Sequence, residues 1–342
     1  MIRSELPPNK TATYVMSRWK TVYVSVPKAA CTSLKWLVAD LQGEDPERFY
    51  QAMSRETGRS MTIHHRARWQ RTPMLNELSD EELAEIHPDN GWFVFGVVRH
   101  PSARLWSGWQ SKFLLREPHF VAHYPEAPWP RLPEGTSDVV EDFQSFVRTL
   151  EREPGQAIFH DRHFRSQSRL LRDDKVPYSR IYRTAEIGEL MRDLEAHLRP
   201  FGLEEMPGLR RSNETPLLPV ASLFTPQVNA TIARHYEADF ERFGYPDVVP
   251  EALSGSPEYT PELLAEVGRL VERGERIGDL YLLAQQQRRR QREEFRAMRR
   301  RHREAAVRSA EASSTLRRVQ GRAGRLARRG LRAARRRDVS GS

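Results

Sequence analysis

The chain has 342 residues, of which 38% are hydrophobic, and a formal net charge of +9. That length allows one large domain or two small ones. The single cysteine, Cys31, excludes an intrachain disulfide framework and a zinc site built from several thiolates. No apolar stretch of 18 residues and no apolar signal core occur, so we expect a cytoplasmic protein, with peripheral attachment at the inner membrane face as an alternative.

The positive charge is concentrated at the C-terminal end. Residues 284–342 contain 20 arginines against five acidic residues, a net charge of +15, so residues 1–283 carry −6. This distribution argues against a core domain that binds a specific nucleic acid. It leaves an anionic membrane surface or another polyanion as a partner for the C-terminal residues alone, and a non-enzymatic protein that binds such a surface through its tail is one alternative function.

Strands alternate with helices along residues 18–247. In the first part we predict a buried strand over 20–26, a helix from Cys31 to Leu41, a strand over 61–65, a helix over 80–86 capped by Ser79 and Glu82, a strand over 92–98, and a helix from Pro101 to about Phe113. Residues 116–136 contain five prolines among aromatic residues and predict an irregular loop. Beyond it we predict helices over 138–151 and 186–198, a strand over 176–182, and a helix that begins at Thr225 and Pro226. The alternation predicts an α/β fold with a parallel sheet covered by helices on both faces.

The domain organisation follows from these patterns. Residues 1–17 form an N-terminal lead, 18–247 the α/β domain, and 248–260 a linker. We predict one helix over residues 261–283 and an arginine-rich tail, helical or disordered, over 284–342. Three roles are open for this tail: it forms a homo-oligomer, it is attracted to an anionic surface, or it is a solvated chain without a partner.

Two segments have a strand–turn–helix layout in which the N–H groups at a helix N-terminus hold a phosphate. In the first, Lys28 stands in the turn, and Thr32 and Ser33 follow at the start of a helix. The chain has 49 arginines and only six lysines, so Lys28 indicates a site that needs a compact point charge. The glycines of a Walker A loop and a Walker B carboxylate are missing, which disfavours an Mg²⁺-dependent NTPase and keeps a nucleotide kinase as an alternative.

In the second segment, Arg99 ends a strand and Ser107 lies two helical turns further on. We expect both side chains to reach one anion, the alternative being an arginine paired with a core carboxylate. Two anion sites on neighbouring strands suit a nucleoside that carries phosphates at both ends.

Together the two turns resemble those of sulfotransferases that use 3′-phosphoadenosine 5′-phosphosulfate (PAPS). Within that family the chain resembles the carbohydrate branch, which includes heparan- and chondroitin-like sulfotransferases, and it looks like a bacterial member of that branch. The family's 5′-phosphosulfate loop is similar to residues 27–33, and its 3′-phosphate motif to 98–101 with Arg104 and Ser107. Weaker family features are Asp161-x-His163 with Gln167, Asn213-x-Thr215-Pro, and Tyr236-x-x-Asp239-Phe240. The resemblance covers about residues 18–247 and implies a P-loop-like α/β fold, a parallel sheet flanked by helices. One departure is Ala30, where glycine is usual, because its methyl group restricts the loop if φ there is positive.

The resemblance implies in-line transfer of a sulfuryl group from PAPS to a hydroxyl of a carbohydrate or glycoconjugate, without a metal. Lys28 then neutralises the leaving phosphate, and Arg99 and Ser107 take the 3′-phosphate. The hydroxyls of Thr32 and Ser33 hold the 5′ end. Backbone N–H groups hold it too, and these belong to Ala29, Ala30, Cys31, Thr32 and Ser33. Arg211 is a candidate to cover the cofactor.

The acceptor hydroxyl needs a general base, and histidine suits that role near neutral pH. His64 and His65 end the predicted strand over 61–65, where related enzymes place a catalytic histidine. Neighbouring residues of a strand face opposite ways, so we expect one of them in the cleft and favour His65 over His64. His163 is the third candidate, and a carboxylate from residues 77–85 is the alternative.

Overall fold

The strands form one mixed sheet in the computed structural model, which describes residues 1–50, 58–124, 126–153, 155–210, 215–246 and 258–338. Within these ranges the sheet has four strands, in the order β1 (Thr13–Met16), β2 (Thr21–Val24), β3 (Phe93–Val98) and β4 (Arg180–Arg183). Strands β2, β3 and β4 run parallel, whereas β1 pairs antiparallel with β2 at one edge. The predicted α/β fold is confirmed, with an antiparallel strand inside the stretch predicted as a lead.

Helices surround this sheet and extend beyond it. In chain order they are α1 (Cys31–Gln42), α2 (Pro46–Phe49), α3 (Asp80–Glu85), α4 (Pro101–Trp109), α5 (Pro118–His123), α6 (Thr136–Arg152), α7 (Gln167–Leu171), α8 (Ile187–Leu198), α9 (Pro226–His235), α10 (Glu237–Phe243) and α11 (Pro261–Asp338). A π-helical turn, Gln110–Leu114, continues α4. The predicted caps are confirmed, because Ser79 Oγ accepts from the Glu82 N–H at 3.2 Å and Thr225 Oγ1 from the Val228 N–H at 3.3 Å.

Two apolar clusters form the core. The first packs α1 and α8 against the sheet, with Val22, Val94 and Trp36 at 1% exposure or less. The second joins α4, α6, α9 and the start of α11 around rings such as Trp109 and Phe143. Because β2 and β3 are parallel and buried, their carboxyl ends meet at the same sheet edge, where ligands bind in open α/β sheets.

The predicted strand over 61–65 is wrong. Residues Arg59–His64 form a 3₁₀ helix instead. Two of its carbonyls accept from indole N–H groups, Ser60 O from Trp36 at 2.9 Å and Ile63 O from Trp69 at 3.0 Å. The segment therefore satisfies its backbone through side chains of the core and not through a neighbouring strand.

The prediction of irregular structure across 116–136 is also wrong in part. Helix α5 starts with Pro118 at its first position, where the missing N–H of proline does no harm. The Glu117 side chain caps it by accepting from the Phe120 N–H at 3.0 Å. The strand predicted over 176–182 is found a few residues later, as β4. The predicted helix does begin at Pro226, but it ends at His235, and α10 is a separate helix.

The chain divides into two units, Met1–Asp279 and a second one that starts at Leu280. Helix α11 continues past residue 284, so the described part of the arginine-rich tail is helical. The predicted linker lies largely outside the described residues, and the boundary at 247 stays a prediction. Among the described residues, no helix combines the length and apolarity that crossing a membrane requires.

Candidate active site

The turn after β2 has an unusual backbone. Lys28 has φ 69° and Ala30 has φ 55°, both in the left-handed region that favours glycine. Ala30 immediately precedes α1, and among the described residues no side chain caps that helix, unlike α3 and α9. The first N–H groups of α1 thus point from the turn in the orientation that binds an anion.

Lys28 lies in this turn and is partly buried. Burial lowers its pKa to about 7, and the nearby positive charges of Lys112 and Arg99 act in the same direction. A phosphate or sulfate bound here raises the pKa again, since a negative charge favours the protonated amine. The turn has the electrostatics of an anion site.

The second turn contacts the first. Arg99, at the end of β3, directs its guanidinium Nη1 to Lys28 O at 3.4 Å. Within the described ranges no carboxylate pairs with Arg99, so the alternative of a core ion pair is not what the structure shows. Burial lowers the pKa of this guanidinium. Ser107 is buried in α4, and its contact with the same anion as Arg99 stays a prediction.

Arg104 belongs to the second motif but has a structural task. Its side chain is 2% exposed and donates three hydrogen bonds to backbone oxygens. Nε donates to Pro27 O at 3.0 Å, and the two terminal nitrogens donate to Arg162 O and Arg165 O, each at 2.9 Å. One guanidinium therefore fixes the first turn relative to the segment 161–167.

That segment is also tied to the second turn. Gln167 exchanges two hydrogen bonds with the backbone of Arg99, at 2.9 Å and 2.8 Å. Asp239 accepts from the N–H groups of Gln167 and Ser168, and Tyr236 donates to Phe164 O at 2.6 Å. The weaker sequence features around Gln167, Tyr236 and Asp239 are thus the framework that holds 161–167 against both turns.

Asp161 and His163 form a hydrogen-bonded pair at the start of this segment. Asp161 Oδ1 lies 2.6 Å from His163 Nδ1 and accepts from the His163 N–H at 2.8 Å. The side chains are 23% and 19% exposed. Burial lowers the pKa of His163 well below its usual value, and Lys112 lowers it further.

His64 lies against α1. Its Nε2 is 3.0 Å from Thr32 Oγ1 and its Nδ1 is 2.8 Å from Lys35 Nζ. Burial, followed by the charge of Lys35, lowers the pKa of His64 well below its usual value. His65 follows the 3₁₀ helix and is partly buried. The two histidines do not alternate across a strand, so the argument that selected His65 from strand geometry no longer applies.

Sequence reasoning missed two lysines of this site. Lys35 contacts His64, and Lys112 lies near Glu117 at 3.7 Å with only 12% of its side chain exposed. The charge of Lys112 reaches Lys28, His64 and His163, because it lowers the pKa of all three. Three of the six lysines thus meet here, so the scarcity of lysine was a usable signal for more than Lys28.

Two predicted residues, Arg211 and Asn213, lie outside the described residues. The flanking residues are anchored, since Arg210 pairs with Asp40 of α1 at 2.6 Å and Leu217 exchanges two hydrogen bonds with Gln110. In the parts of the chain that the structure describes, no cluster of three or more histidine, cysteine or acidic side chains is arranged to hold a metal ion.

Comparison with known families agrees with this geometry. The model of the sulfotransferase family matches residues 12–246, which begin just before β1 and end after α10. The chain therefore belongs to the sulfotransferase family, and it is an enzyme of that class. Searches of curated proteins and of solved structures found no match.

Proposed function

We propose that this sulfotransferase uses PAPS as its sulfuryl donor and a hydroxyl of a carbohydrate or glycoconjugate as its acceptor. One observation carries the choice of donor: two cationic turns from neighbouring parallel strands touch, with Arg99 Nη1 3.4 Å from Lys28 O. A nucleotide with phosphates at its 5′ and 3′ ends matches two anion sites that lie side by side. Lys28, Arg99 and the N-terminus of α1 together fit such a group.

The first turn receives the 5′ end in this proposal. PAPS supplies an activated sulfuryl group, and the residues of the turn bind and orient it. Lys28 holds a positive charge at the bridging oxygen, while Thr32 and Ser33 offer hydroxyls and the turn offers backbone N–H groups. In-line displacement needs little else from the protein, since positioning and charge stabilisation dominate the transfer of such groups.

The second turn receives the 3′ end. Arg99 offers a planar guanidinium for bidentate contact with a phosphate, and Ser107 adds a hydroxyl. Arg211 stays the proposed cover of the cofactor. No step of this proposal requires a metal ion.

The base is proposed to be one of three histidines, His64, His65 or His163, and the charge of Lys112 reaches the first and the last of them. The carboxylates of residues 77–85 offer weaker support, because several are engaged locally. Glu77 pairs with Arg66 and Asp80 with Arg3, and Glu82 accepts from the Ser79 N–H.

The carbohydrate acceptor rests on the resemblance of the motifs. The segment 116–136 supports it in part, since Tyr124 and Trp129 are partly exposed aromatic side chains that can stack on a sugar ring. Phe120 is buried and belongs to the core. We also propose an anionic membrane surface as the partner of the C-terminal unit, where every arginine between Arg288 and Arg308 is exposed.

The donor proposal is tested by calorimetric titration with 3′-phosphoadenosine 5′-phosphate in EDTA. We expect micromolar binding by the wild type and loss of binding in Lys28→Ala and Arg99→Ala. Lys175→Ala is the matched control, because Lys175 is an exposed lysine remote from both turns in sequence. Binding of ATP–Mg²⁺ in place of this nucleotide would favour the kinase alternative and contradict the proposal.

The same titration has a pH signature. The pKa of Lys28 is lowered to about 7, and a bound phosphate raises it again by favouring the charged amine. Above pH 7, binding therefore takes up a proton and the affinity weakens as pH rises. Titrations in buffers of different ionisation enthalpy measure that proton, and Lys28→Arg should abolish the uptake.

A further inference from the structure

The Asp161–His163 pair has the arrangement that prepares an imidazole to accept a proton. A carboxylate can only accept hydrogen bonds, so the ring proton of neutral His163 must lie on Nδ1, 2.6 Å from Asp161 Oδ1. The second bond, from the His163 N–H to the same oxygen, fixes the carboxylate relative to the ring. Nε2 is left with the lone pair, on a side chain that retains 19% exposure.

The position of this imidazole relative to the donor turns is fixed by two connections. Arg104 joins Arg162 O and Arg165 O to Pro27 O, the residue before Lys28. Gln167, four residues after His163, pairs with the backbone of Arg99. The segment with His163 therefore cannot shift without disturbing both phosphate turns.

His64 lacks a comparable free nitrogen. An ammonium group only donates, so Lys35 Nζ, 2.8 Å away, uses the lone pair of His64 Nδ1. The ring proton then lies on Nε2 and points to Thr32 Oγ1 at 3.0 Å. Both ring nitrogens serve to hold Thr32 and Lys35 of α1.

We propose that His163 is the general base of sulfuryl transfer and that Asp161 is its positioning residue. The inference rests on the proposed function. The acceptor oxygen forms a bond to sulfur while the bond from sulfur to the 5′-phosphate oxygen of PAPS breaks. The acceptor proton moves to His163 Nε2 and later to solvent, and 3′-phosphoadenosine 5′-phosphate leaves.

Charged and titratable groups from several elements face this imidazole. Asp161 and Arg162 lie on its own segment, Lys112 comes from the π-helical turn after α4, and His64 from the 3₁₀ helix. Tyr124, which follows α5, interacts with Asp161. Burial, followed by the charges of Lys112 and Arg162, lowers the pKa of His163 although Asp161 raises it, so the ring is neutral at neutral pH. Asp161 stabilises the imidazolium that forms during transfer.

The first test reads the ring itself and needs no acceptor. In the full-length protein, nitrogen-15 chemical shifts distinguish the protonated from the unprotonated ring nitrogen, and His163→Ala and His64→Ala assign the signals. We expect His163 protonated at Nδ1 and His64 protonated at Nε2. A proton on Nε2 of His163 would overturn the proposal.

The second test measures rate in single turnovers of radiolabelled PAPS, with water as the acceptor. We expect His163→Ala and Asp161→Asn to slow sulfate release about 10²- to 10⁴-fold, the usual contribution of general base catalysis. We also expect the wild-type rate to rise with pH only below neutral pH, where His163 loses its proton, and His163→Ala to remove that rise. His160→Ala is the matched control, because His160 is an exposed histidine whose hydrogen bond to Arg165 uses only its backbone oxygen.

Calorimetry with 3′-phosphoadenosine 5′-phosphate separates the two proposals. If the variants bind this nucleotide like the wild type and His163→Ala keeps the wild-type rate, the base assignment is wrong and the donor proposal stands. If the folded wild type does not bind the nucleotide, the donor proposal fails first. An unchanged pH profile in Asp161→Asn, with an unchanged rate, would reduce Asp161 to a purely structural residue and overturn its assigned role.

Discussion

Ala30 has a left-handed backbone, with φ 55° and ψ 18°, at the residue where the related loops usually have glycine. A Cβ atom in this conformation costs about 1–2 kcal/mol, because it approaches the following carbonyl oxygen. The turn holds the conformation through the contacts on either side of it. Leu34 N donates to Ala30 O at 3.1 Å, and Arg104 fixes Pro27 O. Strain of this kind is common where a backbone must present N–H groups to a ligand.

We expect Ala30→Gly to raise the free energy of unfolding by about 0.5–1 kcal/mol, since relief of the Cβ contact exceeds the entropy that glycine adds to the unfolded chain. Equilibrium denaturation measures the difference. Ala29→Gly is the matched control, because Ala29 is in the same turn and does not have a positive φ. It should lose stability, and equal changes in both variants would contradict the explanation.

At the scale of elements, the start of α11 packs on the segment between the π-helical turn and α5. Gly274 lies so close to that backbone that an added Cβ would be 2.9 Å from Leu115 O. One residue further on, Glu275 pairs with Arg116. Lys112 and Glu117 bracket the same segment, so α11 supports a wall of the candidate active site.

We expect Gly274→Ala to lower the free energy of unfolding by about 1–2 kcal/mol, because overpacking against a fixed backbone outweighs the higher helix propensity of alanine. Gly268→Ala tests the same substitution in the same helix, where a Cβ meets nothing within 4 Å. That variant should gain about 0.5–1 kcal/mol from propensity alone. Thermal and chemical denaturation compare the two, and a gain in both would contradict the close packing.

At the scale of the whole molecule, the family match ends at residue 246 while the chain continues through α11 and the arginine-rich unit. Residues 1–283 carry −6 and residues 284–342 carry +15. The part that matches the sulfotransferase family therefore lies in a negatively charged stretch of the chain, and the arginine-rich part lies outside the match and is positively charged. Each can be tested separately.

We expect deletion of residues 280–342 to leave the affinity for 3′-phosphoadenosine 5′-phosphate unchanged within about twofold, since both anion turns lie in the first unit. The same deletion should abolish binding to phosphatidylserine vesicles. Full-length protein should also leave these vesicles in 1 M salt, where the Debye length is about 3 Å. Cosedimentation measures this binding, and retention by the truncated chain would contradict the assignment of the membrane partner to the tail.

The sequence by itself determined the α/β order, the two strand–turn–helix segments and most helix starts, because those features depend on local patterns. Apolar runs, the caps at Ser79 and Thr225, and Pro101 at a first helical position each act within a few residues. The position of Lys28 and Arg99 at one sheet edge also followed, since parallel strands bring their carboxyl ends together.

Only the tertiary structure decided how the remaining side chains are used. Both ring nitrogens of His64 form hydrogen bonds, one with Thr32 and one with Lys35. These two residues lie about 30 residues away in sequence and are neighbours of His64 because the 3₁₀ helix packs on α1. The segment that contains His163 is held against the two turns by Arg104 and Gln167, which connect three separate parts of the chain. Such contacts depend on where whole elements pack, and no local pattern of residues encodes that packing.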